Sequence, residues 1–108
     1  MQFSNDYCVI LSTYDNKQTG KLVISSLLEQ GLAACIQTKK IKSYYRWQGK
    51  TVASKEYLLI IKTKSSLYNA VELDIIKNHD YQTPEIIKLD ISSGSSDYLA
   101  WIDSETKG

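Results

Sequence analysis

The stretch "AACIQTKKIKSYYRWQGKTVASKEYLLIIKTK" (33–64) determines the architecture that we predict for this chain of 108 residues. Its two halves are rich in β-branched and aromatic residues, which is typical of strands. The "QGK" (48–50) between them predicts a turn in which Gly49 supplies the backbone freedom. The stretch therefore predicts a central β-hairpin that is longer than the sheet of so small a protein needs.

One strand and one helix are predicted before this hairpin. The segment "YCVILSTY" (7–14) is apolar on both of its alternating faces, as buried strands are. Asp15 or Asn16 then offers an N-cap, and Gly31 offers the stop that ends a helix. Between them, apolar residues recur at helical spacing: Leu22, Val23, Leu27 and Leu28.

A helix, a strand and a short last helix are predicted after the hairpin. Ser65 or Ser66 is the expected N-cap of the helix, which ends near His79. The segment "PEIIKLDI" (84–91) alternates apolar and charged residues and predicts a strand. Serines of "SSGSSD" (92–97) precede the last helix. The apolar stripe of the first of these helices contains Leu67, Val71 and Ile75. That of the last helix contains Tyr98, Trp101 and Ile102.

The order β-α-β-β-α-β-α predicts the fold class. It is an α+β, ferredoxin-like βαββαβ sandwich, in which two helices cover one face of a four-stranded antiparallel sheet and a C-terminal helix is added. No linker or repeat divides the sequence, so we expect residues 1–108 to form one domain.

The two-faced apolar strands also predict an assembly. The main helices cover one face of the sheet, but the strands at 7–14 and 56–64 are apolar on both faces. Soluble monomers rarely leave an apolar patch of several hundred Å² exposed, and the last helix is too short to cover it. We therefore expect the long hairpin to pair with other subunits. The alternative is a hairpin that curls back over its own sheet.

Composition and charge limit the class of function and the compartment. Thirteen basic and twelve acidic residues give a net charge of +1, so no strong field attracts nucleic acid or a membrane. Cys8 and Cys35 form no CxxC pair, and we expect two free, buried thiols in a reducing compartment; a disulfide or a zinc site is the alternative. The N-terminus lacks the features of a signal peptide, so we expect a cytoplasmic protein.

Five short motifs occur in order along the chain: "GLAAC" (31–35), "SYYRWQGK" (43–50), "LLIIKT" (58–63), "YQTPEI" (81–86) and "YLAWI" (98–102). Together they resemble the CutA family, which is named for divalent cation tolerance. The resemblance implies a ferredoxin-like subunit in a tight homotrimer, similar in shape to the PII signalling proteins, whose long hairpins exchange strand pairing. It also implies a link to copper and other divalent cations, and no established enzymatic activity.

The chain departs from the family pattern at several positions. The segment "QTKKIK" (37–42) lacks the Pro-Gly pair that relatives often have there, and Gln48 replaces a common glutamate. Ser12 and Asn78 stand where some relatives proposed to bind metal have a cysteine and a histidine. The departures remove three potential metal ligands.

His79 is the only histidine, and with Glu85 it is the candidate metal-ligand set. A copper or zinc site needs imidazole, thiolate or several carboxylates that converge on one point. We expect Cu²⁺ or another divalent cation to bind weakly, and no cofactor to be obligatory. The alternative is that His79 closes the second helix, where its partial charge meets the helix dipole.

A second candidate site comprises Trp47, Lys62, Tyr81, Glu85 and Trp101. The resemblance implies that these motif positions meet in a cleft between subunits. A cation and a carboxylate among aromatic rings suit a small polar ligand. The alternative is an interface salt bridge walled by aromatic residues, which serves assembly alone.

Other classes of function fit the sequence less well. Basic residues alternate with Tyr44, Tyr45 and Trp47, but the aromatic signature of RNA-recognition modules is absent, so no nucleic-acid partner is expected. No nucleophile, base and orienting group stand together, so no enzyme is expected. The sequence thus predicts a non-enzymatic trimer that acts in divalent-cation tolerance or copper response. The alternative is a small-molecule sensor or an undescribed enzyme that uses a cleft with Lys62 and Glu85.

Overall fold

The computed structural model of the chain describes residues 6–108. Its elements are β1 (Tyr7–Tyr14), α1 (Lys17–Glu29), β2 (Cys35–Trp47), β3 (Lys50–Lys64), a 3-10 turn (Ser65–Leu67), α2 (Tyr68–Asn78), β4 (Ile87–Asp90) and α3 (Ser96–Ser104). The predicted order of elements is therefore confirmed. No helix within these residues is long and apolar enough to cross a bilayer.

The four strands form one antiparallel sheet in the order β2-β3-β1-β4. β1 lies inside the sheet, where it pairs with β3 along its whole length and with β4 from Cys8 to Leu11. With two helices packed on one face, this is the ferredoxin-like arrangement, and the predicted fold class is confirmed.

The long hairpin extends beyond the rest of the sheet. β2 and β3 pair continuously from Cys35 opposite Lys62 to Trp47 opposite Lys50, whereas β1 reaches only as far as Tyr57. Gln48 and Gly49 form the two-residue turn, and both have positive φ angles, 52° and 78°. This left-handed pair matches the twist of the flanking strands and supports a tight hairpin.

The main core lies between the sheet and the helices α1 and α2. It includes Ile10 and Leu59 from the strands, Val23 and Leu27 from α1, and Val71 from α2. Val23 and Leu27 are one helical turn apart and face the sheet together. The expectation that Leu22 and Leu28 share this stripe is wrong, because both lie on the solvent side of α1.

Side-chain caps begin two of the three helices. Asn16 accepts hydrogen bonds from the main-chain N–H groups of Gln18 and Thr19, and Ser95 accepts one from Tyr98, as predicted. The predicted serine cap of α2 is wrong. Leu67 occupies that position without a side-chain hydrogen bond, because the chain enters α2 through the 3-10 turn.

The second face of the sheet is covered only in part. α3 packs Leu99 and Ile102 against Tyr7 in a small separate cluster. On β4, Ile87 and Leu89 remain about half exposed, at 46% and 50%. An apolar surface is therefore left on this face of the single subunit.

Both cysteines are free thiols. Cys8 is buried, and burial is the main cause that raises the pKa of its thiol. Cys35 is only partly buried, so the expectation of two fully buried thiols holds for Cys8 alone.

Candidate functional site

An open cleft of about 670 Å³ lies on the second face of the sheet, between the hairpin and the loop that follows α2. The hairpin and this loop contribute most of its wall, and the end of β1 contributes the rest. The residues that line it are Thr13, Asp15, Ser43, Tyr44, Tyr45, Trp47, Ser54, Glu56, Asp80, Tyr81, Gln82, Thr83 and Glu85.

Aromatic rings form much of the wall. Tyr45 and Trp47 are two positions apart on β2, so the pleat directs both to the same side of the sheet. The Ser54 hydroxyl donates a hydrogen bond of 3.3 Å to the Tyr45 hydroxyl across the hairpin. Tyr81, from the loop after α2, adds a third ring, and Tyr44, whose side chain alternates with that of Tyr45, is also among the lining residues.

Glu56 and Tyr81 form the most buried polar contact of the cleft. The Tyr81 hydroxyl donates to Oε2 of Glu56 at 2.6 Å, and Glu56 is only 8% exposed. Burial, followed by this hydrogen bond and by the charge of Glu56, raises the pKa of Tyr81 far above its ordinary value. The phenol therefore stays protonated and acts as a donor.

The sequence patterns do not single out Glu56 as a site residue. The available signal was weak: it is the single acidic residue within the hairpin from Cys35 to Lys64. Its role depends on Tyr81, which is 25 residues away in sequence. Local sequence could not reveal that contact.

His79 is held by hydrogen bonds at both ring nitrogens. Nε2 lies 2.6 Å from the main-chain carbonyl oxygen of Thr13, and the N–H of Tyr81 donates to Nδ1 at 3.1 Å. Because a carbonyl can only accept, this arrangement assigns the ring proton to Nε2. The side chain of His79 is fully buried, and its ring centroid is 4.5 Å from that of Tyr81.

This geometry gives His79 a structural role. It is the residue at which α2 ends, and it joins that end to β1 and orients Tyr81. Neither ring nitrogen has a free lone pair in this conformation. Glu85, the second sequence-predicted metal ligand, is exposed and lines the cleft.

The described residues contain no group of three or more His, Cys, Asp and Glu side chains that could hold a metal ion. The carboxylates that line the cleft therefore do not gather in threes around one point. A small hard or borderline cation needs ligands that converge on one point.

The five residues predicted to share a cleft fall into two groups within one chain. Trp47, Tyr81 and Glu85 line the cleft described above. Lys62 and Trp101 lie elsewhere, both near Tyr98: Nζ of Lys62 is 5.4 Å from the Tyr98 ring centroid, and the Tyr98 and Trp101 centroids are 5.6 Å apart.

The length of β3 accounts for this separation. Lys62 follows Glu56 by six positions on the same strand, about 20 Å at roughly 3.4 Å per residue. A lysine side chain cannot span that distance. Among the described residues no ion pair joins Lys62 to Glu85, so the two groups can meet only if subunits associate.

Comparison with known proteins gives a consistent family assignment. A family model described as CutA1 divalent ion tolerance protein matches residues 8–105. The divalent-cation tolerance protein CutA of Pyrococcus horikoshii is 31% identical over 92% of this chain and 97% of its own length. The chloroplastic protein CutA of Arabidopsis thaliana is 39% identical over 92% of this chain. The match covers only 55% of the length of that relative.

Solved structures agree with the observed fold. The crystal structure of CutA1 from Oryza sativa superimposes with a TM-score of 0.90 at 38% identity, and the match covers 96% of each chain. The ferredoxin-like subunit with its long hairpin is thus shared over almost the entire length.

Proposed function

Because the chain belongs to the CutA1 divalent ion tolerance family, we propose that it acts in divalent-cation tolerance as a non-enzymatic protein of the metal-ion response. The family match over residues 8–105 carries this proposal. We assign the activity to a single domain formed by residues 1–108, in the cytoplasm, without a nucleic-acid or membrane partner. The test is the growth of cells that lack or overproduce the protein in graded copper concentrations, with a difference in tolerated copper as the expected result.

The working form in this proposal is a PII-like homotrimer. Two features of the single subunit support it. The apolar side chains of Ile87 and Leu89 on β4 are about half exposed. In addition, the part of β3 from Lys50 to Glu56 pairs only with β2, so the hairpin projects beyond the sheet and is free to contact another subunit.

Copper, or another divalent cation, is the proposed metal, with His79 and Glu85 as its ligands. Binding to His79 requires the ring to give up its hydrogen bond to Thr13 or to Tyr81. The loss of that bond opposes binding, and we therefore expect a weak and non-obligatory interaction.

The cleft supports a second function, that of a small-molecule sensor. Its volume of about 670 Å³ lies within the range of small-ligand sites. In this proposal Trp47, Tyr81 and Glu85 of one subunit meet Lys62 and Trp101 of a neighbour. Loss of ligand binding in Glu85→Gln with an intact assembly is the result that supports this function.

A further inference from the structure

One face of the long hairpin points to the same side of the sheet as the helices. Tyr57 of β3 stacks on Tyr14 with ring centroids 5.1 Å apart, and the Tyr14 ring lies against Gly20 of α1. Tyr57 therefore points towards the helix layer. Because side chains alternate along a strand, Lys55 shares this face, whereas Glu56 points to the opposite face, which carries the cleft.

Basic residues dominate this helix-side face of the hairpin. In the register of β2 and β3, Lys40 pairs with Tyr57 and Lys42 pairs with Lys55, so the three lysines point to the same side. Arg46 follows Lys42 by four positions on β2 and shares the face. All four basic side chains are exposed. The single acidic residue between positions 35 and 64 lies on the opposite face, so the helix-side face carries positive charge alone.

Lys42 and Lys55 form an unfavourable cross-strand pair. Directly opposite residues have Cβ atoms about 5 Å apart, and like charges at that position repel each other. No ion pair within residues 6–108 includes either lysine, and Nζ of Lys42 lies 5.4 Å from the ring centroid of Tyr44. Lys40 adds a third charge about 7 Å away along β2. An anion that contacts all three ammonium groups would offset this repulsion.

The lysine cluster formed by Lys40, Lys42 and Lys55 faces outward in the trimer proposed above. That assembly buries the second face of the sheet, where Ile87 and Leu89 are half exposed. Pairing of strands between subunits uses main-chain groups at strand edges. The cluster lies on the helix side, away from both contacts, so its charge belongs to the assembled protein as well as to the single subunit.

The arrangement of the cluster favours a chain of phosphate groups as its ligand. Lysines spread over about 7 Å can each contact a different phosphate group of one chain, and lysine binds phosphate as a point charge. Nucleic acid fits less well. Of the three exposed rings on β2, only Tyr44 shares this face, because Tyr45 and Trp47 alternate to the other. Successive bases would therefore lack a stacking surface.

We propose that Lys40, Lys42 and Lys55 bind an inorganic oligophosphate, a chain of three or more phosphate groups, on the outer face of the hairpin. This inference goes beyond the proposed function, and it uses none of the residues assigned above to the metal or to the cleft ligand.

Calorimetric titration of the assembled protein with sodium triphosphate tests the proposal, and inorganic phosphate is the control for a single phosphate group. We expect saturable binding of one triphosphate per chain that weakens with salt, and an affinity for phosphate that is lower by about tenfold or more. Lys42→Gln and Lys55→Gln should each weaken triphosphate binding about fivefold or more. Lys39→Gln removes the same charge from the opposite face of β2 and should leave the affinity unchanged. Lys107→Gln, beside Gly31 at the far end of α1, is the second control.

Thermal unfolding gives a readout that separates ligand binding from a structural role. Lys55→Gln removes the repulsion of the opposed lysines, so without ligand this variant should be at least as stable as the wild type. Triphosphate should raise the unfolding temperature of the wild type more than that of the variant. A destabilised Lys55→Gln without ligand would show that the lysine pair supports the fold and would count against the proposal.

Absence of triphosphate binding would overturn the proposal. Equal affinities of the Lys39, Lys42 and Lys55 variants would do the same, because the anion would then respond to net charge alone. Hexaglutamate that binds as tightly as triphosphate would show that the cluster does not select phosphate. A short oligouridylate that binds more tightly than a polyphosphate with the same number of phosphate groups would make nucleic acid the ligand and refute the oligophosphate.

Discussion

His79 and Thr13 are joined by a hydrogen bond of 2.6 Å between Nε2 and the main-chain carbonyl oxygen, which fastens the end of α2 to the end of β1. The same imidazole receives the N–H of Tyr81 and thereby positions the ring that donates to Glu56. One buried side chain thus connects the helix layer, the sheet and the wall of the cleft.

Replacing His79 by alanine should lower the free energy of unfolding by about 2–4 kcal/mol, because two hydrogen bonds and a buried ring are lost. Chemical denaturation at fixed protein concentration measures the change. Lys77→Ala, in the exposed last turn of α2, is the control, with an expected change of about 0.5 kcal/mol or less. Equal stability of the two variants would contradict the structural role of His79.

Copper binding should be weak and should decrease further in His79→Ala. The reason is that His79 is the single imidazole of the chain and its nitrogens are already occupied by hydrogen bonds. Calorimetric titration with copper chloride measures the affinity. An affinity that does not change in His79→Ala would show that the metal binds elsewhere.

The half-exposed side chain of Leu89 should contribute to subunit association. Leu89→Lys places a charge in the surface that we expect to be buried on assembly, and it should shift the protein towards monomers. Sedimentation velocity measures the shift, while circular dichroism checks that the subunit stays folded. Leu59 does not serve as a probe, because it is fully buried beneath the helices and its replacement would unfold the subunit.

Leu73→Lys is the matched control for this experiment, since Leu73 is 69% exposed on the helix side of the subunit. It should leave the sedimentation coefficient unchanged. A stable wild-type monomer at micromolar concentration would refute the proposed trimer.

Lys62 and Glu85 should pair only between subunits. If the pair becomes buried on assembly, Glu85→Gln should weaken the trimer by about 3–5 kcal/mol, and the reversed pair Lys62→Glu with Glu85→Lys should recover part of the loss. The concentration dependence of thermal unfolding measures both effects. If the two residues instead hold a ligand, Glu85→Gln should spare assembly and abolish binding.

Lys88→Glu is the control for a surface ion pair within one chain, because Nζ of Lys88 lies 3.3 Å from Oδ1 of Asp90. Its effect on stability should not exceed about 1 kcal/mol. An effect of Glu85→Gln no larger than this, together with unchanged ligand binding, would exclude both roles of Glu85.

Tyr81 should make the protein less stable at alkaline pH. Burial is the main cause that raises its pKa in the folded state, and Glu56 is the second. In the unfolded chain the pKa of a tyrosine is about 10. Above that pH the unfolded state has lost a proton that the folded state retains, so the free energy of unfolding falls as pH rises. The contribution is at most about 1.4 kcal/mol per pH unit, reduced by solvent screening of the half-buried hydroxyl.

Denaturation between pH 9 and 11.5 measures this dependence. Tyr81→Phe should show a shallower fall than the wild type, and Tyr44→Phe, which removes a largely exposed phenol, is the control variant. A wild-type slope identical to that of Tyr81→Phe would mean that the contact with Glu56 does not form in solution.

Sequence by itself determined the order of the elements and several of their ends. β1 has the predicted bounds, Asn16 and Ser95 cap their helices, and Gly31 follows α1 with a φ of 68°. These features depend on residues within one or two turns of each other, through side-chain periodicity, capping and backbone freedom. They are accessible before any packing is known.

Only the tertiary structure decided which side chains meet. The contact of His79 with Thr13 spans 66 positions, and that of Tyr81 with Glu56 spans 25. Lys62 and Glu56 share one strand, yet the rise of that strand keeps them in separate clusters. Such pairings depend on strand register and on how helices pack across the sheet, because side chains distant in sequence become neighbours only when the whole core has formed.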